Sequence, residues 1–465
     1  MNPARFLILA ALGACSPHVR RDPTEAPVVV PSAFAAAGEA AAPVRWWTVF
    51  DDPALTTLLD RLLAQNLDLK QGVARIEQAR LRAGQAGSSR WPSLDATFDV
   101  ARSKQLNPVR FPGSEPSTEV TSWRASLAAS YEIDLFGRIE SLADAADAEV
   151  EAALFDQEAL AMGLAATVVE TWYTLVEQQA QLRLLEAQAA LTRTQLELLQ
   201  YRFANGLSSS IDVLQQEDQL KRLASQVPLV EARIAVSRHL LATLVGVGPR
   251  DLDLQAPEII PQLPTLPQTG LPATVLGQRP DVRAAQARVA AADHRVGVAV
   301  AQRYPAIRLS ASVGLQALDL EQLLDDWVWS LAGSLVAPLF DGGRRAAEVD
   351  ITRAEVEARL AALGKAMLTA VREVEDALVQ EDRQQAHVVE LEAREALLRR
   401  MLEDAQARYL EGVTDYLPVI SALSGLQQVE QALLTARRQR LSYRIQLHRA
   451  LGGDWSAVAA PEKKP

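Results

Sequence analysis

The chain has 465 residues, of which 49% are hydrophobic but only 5% aromatic. Ala, Leu, Gln, Glu and Arg supply much of the sequence, a bias that is typical of long helices. The formal net charge is −11, and no dense run of Lys and Arg contains interleaved aromatic residues, so nucleic-acid binding is not expected. Beyond the N-terminus no apolar run reaches roughly 18 residues, so no transmembrane helix is expected.

The N-terminus has the features of a bacterial targeting segment. A basic residue precedes an apolar stretch from Phe6 to Leu12, and Leu12-Gly13-Ala14-Cys15 then matches the bacterial lipoprotein box. Cys15 is the only cysteine of the chain. An incidental or buried thiol is the alternative interpretation. We predict a signal peptide over residues 1–14, acylation of Cys15, and a lipid-anchored, Pro- and Ala-rich tether over residues 15–45.

The mature chain contains an internal repeat. Residues Arg202–Leu207 correspond to Arg408–Val413, and Glu149–Ala152 correspond to Glu355–Ala358, in both cases at an offset of 206. Chance similarity between Ala- and Leu-rich helices is the alternative, but the landmarks follow the same order in both halves. The predicted divisions are a first repeat over 46–248, a linker over 249–271, a second repeat over 272–453 and a tail over 454–465.

Each repeat has the same predicted plan of a helical segment, two strands, a very long helix, a turn and a second helix. Neither long helix contains proline, and each contains one glycine. At 1.5 Å per residue such a helix spans roughly 100 Å, so it must pack along partner helices. The predicted bounds are strands over 93–101 and 121–134 with helices over 138–204 and 211–245, then strands over 305–317 and 327–340 with helices over 344–410 and 417–451.

Each long helix is followed by a turn that contains glycine. Gly206 and Gly412 lie just past the predicted helix ends, where a left-handed backbone is common. Hydroxyl and carboxylate side chains follow both glycines and can cap the returning helix. We therefore predict two helical hairpins with tips at Gly206 and Gly412.

The four predicted strands alternate apolar and polar residues and carry tryptophan and tyrosine towards their ends. A two-faced sheet on a soluble core is the alternative interpretation. A spanning sheet must close, however, and the smallest spanning barrels have about eight strands. A chain with four strands must therefore share its barrel with other copies. Three copies would supply about twelve strands, whereas two would leave little lumen.

Several motifs resemble one known family over roughly residues 46–453. The chain is similar to the outer-membrane factors of tripartite efflux pumps, the TolC/OprM-like group, and within it to the lipoproteins called NodT-type. No single motif is specific, but the combination is. The motifs are Trp46-Trp47-Thr48-Val49-Phe50-Asp51-Asp52-Pro53, Asn66-Leu67-Asp68-Leu69, Tyr131-Glu132-Ile133-Asp134-Leu135-Phe136-Gly137-Arg138, Arg279-Pro280-Asp281-Val282, Tyr304-Pro305 and Pro338-Leu339-Phe340-Asp341-Gly342-Gly343.

The resemblance implies a mixed α and β, mainly helical fold. It implies a lipid-anchored homotrimer in the outer membrane of a Gram-negative bacterium, with a shared twelve-stranded barrel and a periplasmic α-helical barrel. It also implies a periplasmic membrane-fusion adaptor and an inner-membrane RND-type pump as partners. The duct would be passive and would export drugs, dyes, detergents or metal ions.

The resemblance also implies a gate at the hairpin tips. In the family, a tyrosine three residues before one turn glycine is linked to an aspartate six residues after the other. Tyr409 and Asp212 occupy these positions. A solvated aspartate beside a packing tyrosine is the alternative.

Other positions depart from the family's gate. Thr414 stands where some members have a further linking arginine, and Pro418 and Ser421 stand where acidic rings narrow some pores. Asp415 is a candidate substitute. A cation-selective constriction is therefore not expected.

No enzymatic site is expected. The five histidines are scattered without metal-ligand spacing, and no phosphate-binding or nucleophile motif occurs. We expect no cofactor and no metal. The alternative functions are the outer-membrane channel of a type I protein secretion system and a lipid-anchored periplasmic coiled-coil scaffold.

Overall fold

A computed structural model describes residues 17–19, 28–36, 38, 45–106, 117–263, 265–325, 327–453 and 455. Cys15, and most of the predicted tether, lie outside the described residues. After a 3₁₀ turn over Trp46–Phe50, the elements in chain order are α1 (Pro53–Gln65), α2 (Leu67–Ser88), β1 (Ser93–Leu106), β2 (Ser117–Ile133), α3 (Arg138–Ala204), α4 (Ser210–Leu244), α5 (Pro272–Gln278), α6 (Pro280–Ala301), β3 (Ala306–Ala317), β4 (Trp327–Val336), α7 (Arg344–Leu410) and α8 (Leu417–Leu451).

The two halves repeat the same elements at the same lengths. The long helices α3 and α7 have 67 residues each, and the returning helices α4 and α8 have 35 each. In each half a pair of shorter helices and a pair of antiparallel strands precede the long helix. The internal repeat read from the sequence is therefore present in the fold.

Several element bounds differ from the predicted ones. The strand predicted over 327–340 ends at Val336, because Pro338 has no backbone N–H for the ladder. The strand predicted over 93–101 continues to Leu106, paired with β2. The second-repeat helical segment breaks at Arg279, whose extended backbone (ψ 124°) is the conformation favoured before a proline. The first-repeat segment breaks at Asn66, whose backbone is also extended (ψ 133°) and whose side chain caps α2 by accepting from the amide of Leu69.

The chain divides into two compact units. The sheet unit combines Arg75–Ala153 with Ala284–Leu363, together with the described N-terminal residues before Val28. Its four strands are antiparallel in the order β1-β2-β3-β4, so β1 and β4 each have one edge that no other described strand pairs with. Trp123 lies opposite Ala317, and Leu315 lies opposite Trp327. All residues of β4 are exposed.

The helical unit is built from the described residues within Val28–Ala74, Leu154–Arg283 and Gly364–Pro465. Its largest core cluster joins Trp46, Trp47 and Phe50 to residues of α1 and the middle of α3. The family motifs have structural roles here. Asp52 caps α1 and accepts a 2.8 Å hydrogen bond from the indole of Trp172. Asn66 donates to the carbonyl of Leu244 at 2.7 Å.

Part of the predicted tether packs against the helical unit. Phe34 lies against the cluster that contains Val374 and Leu447. The amide of Ala35 donates to the Glu375 carboxylate at 3.1 Å, and the hydroxyl of Thr269 donates to the carbonyl of Ala36 at 3.0 Å. This segment therefore runs along the folded protein.

By length and composition, α3 is the one described helix that could cross a membrane. The sequence analysis predicts none. In the most apolar window of α3, 56% of the residues are buried inside the protein. Trp172, Leu175 and Val176 of this helix are fully buried in the core of the helical unit. This packing is that of a core helix.

Candidate gate at the hairpin tips

The two glycine turns end the long helices in the same way. Gly206 has φ +72° and Gly412 has φ +74°, in the left-handed region that favours glycine. This conformation lets the amide of Leu207 donate to the carbonyl of Arg202 at 2.8 Å, and that of Val413 donate to the carbonyl of Arg408 at 2.9 Å. The hairpin tips are therefore fixed by local hydrogen bonds.

Asp212 is held in the first turn of α4 by a capping box. The amide of Ser209 donates to the Asp212 carboxylate at 3.0 Å, and the amide of Asp212 donates to the Ser209 hydroxyl at 3.3 Å. The hydroxyl of Ser208 donates to the same carboxylate at 3.1 Å. Reciprocal bonds of this kind satisfy two amides that a helix start leaves unpaired. The carboxylate has a fixed orientation as a result.

Tyr409, near the end of α7, is part of the same group of side chains. Its hydroxyl lies 3.4 Å from the Ser208 hydroxyl, and among the described residues it reaches Asp212 only through Ser208. The guanidinium of Arg202 lies 4.8 Å from the Tyr409 ring centroid, a distance at which a cation is attracted to the ring. The structure thus brings the predicted pair together without a direct contact.

The motif comparison missed the stronger link at the tips. Tyr416, at the start of α8, is 4% exposed and donates to Gln216 Oε1 at 2.9 Å. Gln216 is fully buried and donates in turn to the carbonyl of Thr192 at 3.0 Å. The Tyr416 ring packs edge-on against Tyr409, with 5.1 Å between centroids. No local sequence pattern indicates this bond, because Tyr416 and Gln216 lie 200 positions apart.

Tyr416 stays protonated across the ordinary pH range. Burial is the main cause that raises the pKa of its hydroxyl far above the ordinary value, and the neighbouring Tyr409 and Asp212 raise it further. Tyr416 is consequently a constant hydrogen-bond donor to Gln216.

Asp415 does not join this group. Its side chain is exposed, and no hydrogen bond or ion pair of it occurs within the described part of the chain. Pro418 lies in the first turn of α8, where a proline has no hydrogen bond to lose. The nearby Thr414 hydroxyl is buried without a described partner.

Further from the turn glycines, buried side-chain amides join α8 to α3 and α4, the two helices of the first hairpin. Gln427 donates to the Thr192 hydroxyl at 3.1 Å and accepts from Gln219. Further along, Gln431 donates to Gln188 Oε1 at 3.0 Å. Gln219, Gln427 and Thr192 are all at least 96% buried. Buried polar groups need partners, so this layer fixes the two hairpins against each other.

Two repeats that end in paired helical hairpins match a known family model. Residues 58–247 and 271–453 match the model for outer membrane efflux proteins. The chain belongs to the outer membrane efflux protein family. It is accordingly an outer-membrane channel protein of efflux systems and not an enzyme.

Relatives support the same conclusion along nearly the whole chain. The pyoverdine export outer membrane protein OpmQ of Pseudomonas aeruginosa is 31% identical, over 96% of this chain and 95% of its own. The solvent efflux pump outer membrane protein SrpC of Pseudomonas putida is 32% identical, over 88% of this chain and 87% of its own. The solved outer-membrane channel OprN is 28% identical with a TM-score of 0.88, covering 95% of this chain and 100% of its own.

These comparisons confirm several expectations. The fold is TolC-like and mainly helical, with four antiparallel strands per chain in a two-part repeat. The location is the outer membrane of a Gram-negative bacterium. The roles predicted for Asp212, Tyr409, Asp415 and the two turn glycines stay predictions.

Proposed function

We propose that three copies of this chain form one passive export duct with a shared twelve-stranded barrel in the outer membrane. The observation that carries the proposal is the open sheet. Its two outer strands, β1 and β4, each have one side that is unpaired among the described residues of the chain. A lipid-exposed sheet edge is not stable. One face of β4 carries the exposed side chains of Trp327, Trp329 and Leu331, which suit contact with lipid.

The proposed duct receives its cargo from a periplasmic membrane-fusion adaptor and an inner-membrane RND-type pump. Membership of the efflux family and the helical hairpins that end at Gly206 and Gly412 support these partners. Relatives named for pyoverdine export and for solvent and toluene efflux support small molecules as cargo. The energy for export comes from the pump, since the channel family is not enzymatic.

The group formed by Tyr409, Ser208, Asp212 and Tyr416 is proposed as the latch of a gate at the tips. It joins the two hairpins of one chain, and opening needs such an element with two arrangements. The direct part of the latch is the hydrogen bond from Tyr416 to Gln216. The contact from Tyr409 through Ser208 to Asp212 is longer and therefore easier to release.

Single-channel recording in planar bilayers tests both the duct and its latch. The wild type should migrate as a trimer on an unheated gel, and should conduct in rare, small openings. Tyr409→Phe and Asp212→Asn should raise the open probability. Tyr201→Phe is the matched control, because Tyr201 is exposed near the end of α3. A monomer that never inserts would exclude the duct. Latch variants that leak no more than the control would exclude the latch alone.

Cys15 is proposed as the acylated anchor of the mature chain. Several acyl chains at roughly 0.8 kcal/mol per buried CH₂ give a durable attachment. Cys15→Ser should abolish labelling with radioactive palmitate, while Ser16→Ala should leave it intact. Labelling that persists in Cys15→Ser would show that another residue carries the lipid.

A further inference from the structure

The start of the predicted tether contacts the sheet unit through one side chain. His18 Nε2 lies 3.1 Å from Asp293 Oδ1, and the imidazole donates because a carboxylate oxygen accepts. The side chains of His18 and Asp293 are only 16% and 10% exposed. The two residues are 275 positions apart, so this bond attaches the N-terminal segment to α6.

A glycine shapes the surface that receives the imidazole. Gly297 lies one helical turn after Asp293 and therefore on the same side of α6. A Cβ at Gly297 would lie 2.9 Å from Ser141 Oγ on α3 and 3.6 Å from His18 Cδ2. The absence of a side chain at Gly297 thus lets α3, α6 and the His18 ring come together, and Ser141 and Asp293 are both buried there.

This contact lies close to the junction between the strands and the helices of the sheet unit. At 1.5 Å per residue, Gly297 is about 6 Å from the end of α6, and Ser141 is about 5 Å from the start of α3. β3 begins shortly after α6 ends, and β2 ends shortly before α3 begins. The groove formed by Ser141, Asp293 and Gly297 is therefore next to the ends of the two central strands.

The sheet has one face suited to lipid and one suited to a lumen. Trp327 and Trp329 share the exposed apolar face of β4. Ser334 points to the other face of that strand, and Arg308 is paired with it. Glu132 of β2 is paired with Arg308 and shares its face. In the proposed barrel, this polar face lines the lumen.

His18 binds the side of α6 that faces away from this lumen. Gln302 directly follows α6, and its amide continues the helix by donating to the carbonyl of Val298. It lines a cleft together with Arg308, and so marks the lumen side of the helix. From Asp293 to Gln302 the helix makes about two and a half turns, so the two side chains point to opposite sides.

We propose that the groove formed by Ser141, Asp293 and Gly297 is the docking site of the lipid-bearing N-terminal segment, with His18 as the side chain that it binds. Cys15 lies outside the described residues, but three residues of chain span at most about 11 Å. Docking therefore keeps Cys15 near the junction of strands and helices, on the side away from the lumen.

This placement suits a lipid anchor. On the proposed function the strands cross the membrane, so the junction lies at the membrane surface. The acyl chains of Cys15 then enter the lipid beside the strands of their own copy. The inference rests on the proposed function for the membrane and for the acylation, whereas the docking contact itself can be measured without either.

Electron paramagnetic resonance of a nitroxide label at position 19 tests the docking. Val19 is 90% exposed, so a label on Val19→Cys reports the motion of the backbone beside His18 without filling the groove. We expect a broad spectrum, typical of restricted motion, in the full-length protein. His18→Ala should convert it to the narrow spectrum of a segment that moves freely on the nanosecond timescale. His387→Ala is the matched control, since His387 is exposed on α7, and should keep the broad spectrum.

Variants of Asp293 show whether the pair itself holds the segment. Asp293→Ala should also narrow the spectrum. The combination of His18→Ala with Asp293→Ala should narrow it no further, because both changes remove the same bond. All spectra are recorded with Cys15 present and again in a Cys15→Ser background, where Val19→Cys supplies the single thiol of the chain. Docking predicts the same broad spectrum in both backgrounds.

Three outcomes would overturn the docking site. The first is a narrow spectrum with His18 present, and the second is a broad spectrum that survives both His18→Ala and Asp293→Ala. The third is a broad spectrum that is lost in the Cys15→Ser background, which would show that the lipid restrains the segment. The proposed anchor fails separately. Two nitroxides per chain without palmitate would refute acylation of Cys15, whereas a broad spectrum that depends on His18 would still support the docking.

Discussion

The two tyrosines at the hairpin tips make contacts of different strength. Tyr416 gives its hydrogen to a buried amide oxygen at 2.9 Å, whereas the Tyr409 hydroxyl meets a serine at 3.4 Å in a half-buried position. A bond at 2.9 Å is near the preferred length, and one at 3.4 Å is weak. In the proposed latch, Tyr416 therefore supplies the stronger contact, and Tyr409 supplies the contact that opens at lower cost.

Tyr416→Phe should destabilise the helical unit more than Tyr409→Phe. Removal of the Tyr416 hydroxyl leaves Gln216 Oε1 buried without a partner among the described residues. The amide nitrogen of Gln216 keeps its bonds to the Thr192 carbonyl at 3.0 Å and to Gln195 Oε1 at 3.2 Å. An unsatisfied buried acceptor costs about 1–3 kcal/mol, whereas the loss of a weak, half-buried bond costs about 0.5 kcal/mol. Urea midpoints followed by circular dichroism at the helix band measure the difference. Equal midpoints would mean that water or another group satisfies Gln216.

His448 gives the helical unit a predictable sensitivity to acid. It is 4% exposed and stacks on Trp46 with 5.3 Å between ring centroids. Burial, with a contribution from the positive Arg444, lowers the pKa of His448 from 6.5 to about 4. Between these values the unfolded chain binds a proton that the folded chain does not. Stability is therefore full above pH 6.5 and falls as the pH drops towards 4.

His448→Phe should remove this part of the acid sensitivity. The shift of the pKa corresponds to about 3 kcal/mol lost between pH 6.5 and 4. Phenylalanine keeps an aromatic ring against Trp46 but cannot take up a proton. Melting temperatures at pH 7 and pH 5 should differ less in this variant than in the wild type. The exposed His387, replaced by phenylalanine, is the control and should keep the wild-type difference. An unchanged difference in His448→Phe would assign the acid sensitivity to carboxylates.

At the scale of the elements, glycine has opposite effects in the turns and inside the helices. Gly206 and Gly412 have positive φ, and a Cβ at either would meet nothing within 4 Å. Gly163 lies inside α3 with helical φ and equally open surroundings. An added Cβ therefore has room at all three positions, and the positions differ only in backbone conformation.

Gly206→Ala and Gly412→Ala should each destabilise the hairpins by about 1–2 kcal/mol, because a left-handed alanine is strained. Gly163→Ala should instead stabilise the protein by about 0.5–1 kcal/mol, because alanine loses less backbone freedom in a helix. Urea denaturation measures the change in unfolding free energy of each variant, and so shows whether it is destabilised or stabilised. Stabilisation in all three would show that the turns relax to another conformation.

At the scale of the whole molecule, the unpaired edges of β1 and β4 decide the assembly. The strands alternate in direction, so β1 of one copy can pair antiparallel with β4 of the next. With four strands per chain, three such contacts close a ring of twelve strands, which is a size known for spanning barrels. The proposed trimer follows from this closure.

Cysteine cross-linking should reveal the contact between copies. In a Cys15→Ser background, Ala332→Cys on β4 is combined with cysteines placed one at a time along β1, from Ala96 to Ala101. Directly opposed residues come close enough for a disulfide, with Cα atoms about 4.4–6.8 Å apart. One position should give dimers and trimers on a non-reducing gel, with trimers as the largest species. Single-cysteine variants are the control. Longer ladders, or none at any position, would contradict a closed ring of three.

The sequence by itself determined the local features of this protein. The lengths of α3 and α7, the turns at Gly206 and Gly412 and the alternating strands could be predicted, because helix and strand periods and left-handed glycines depend on neighbouring residues. The repeat and the family motifs then indicated the fold class. The capping role of Asp52 is similarly local, since its cap lies within one helical turn.

Only the tertiary structure decided which side chains meet. Asp212 lies next to Tyr409 in the family pattern, but its capping box and Ser208 separate the two. The bond from Tyr416 to Gln216 joins residues 200 positions apart. Such contacts depend on the packing of segments that are distant along the chain, which no local pattern encodes.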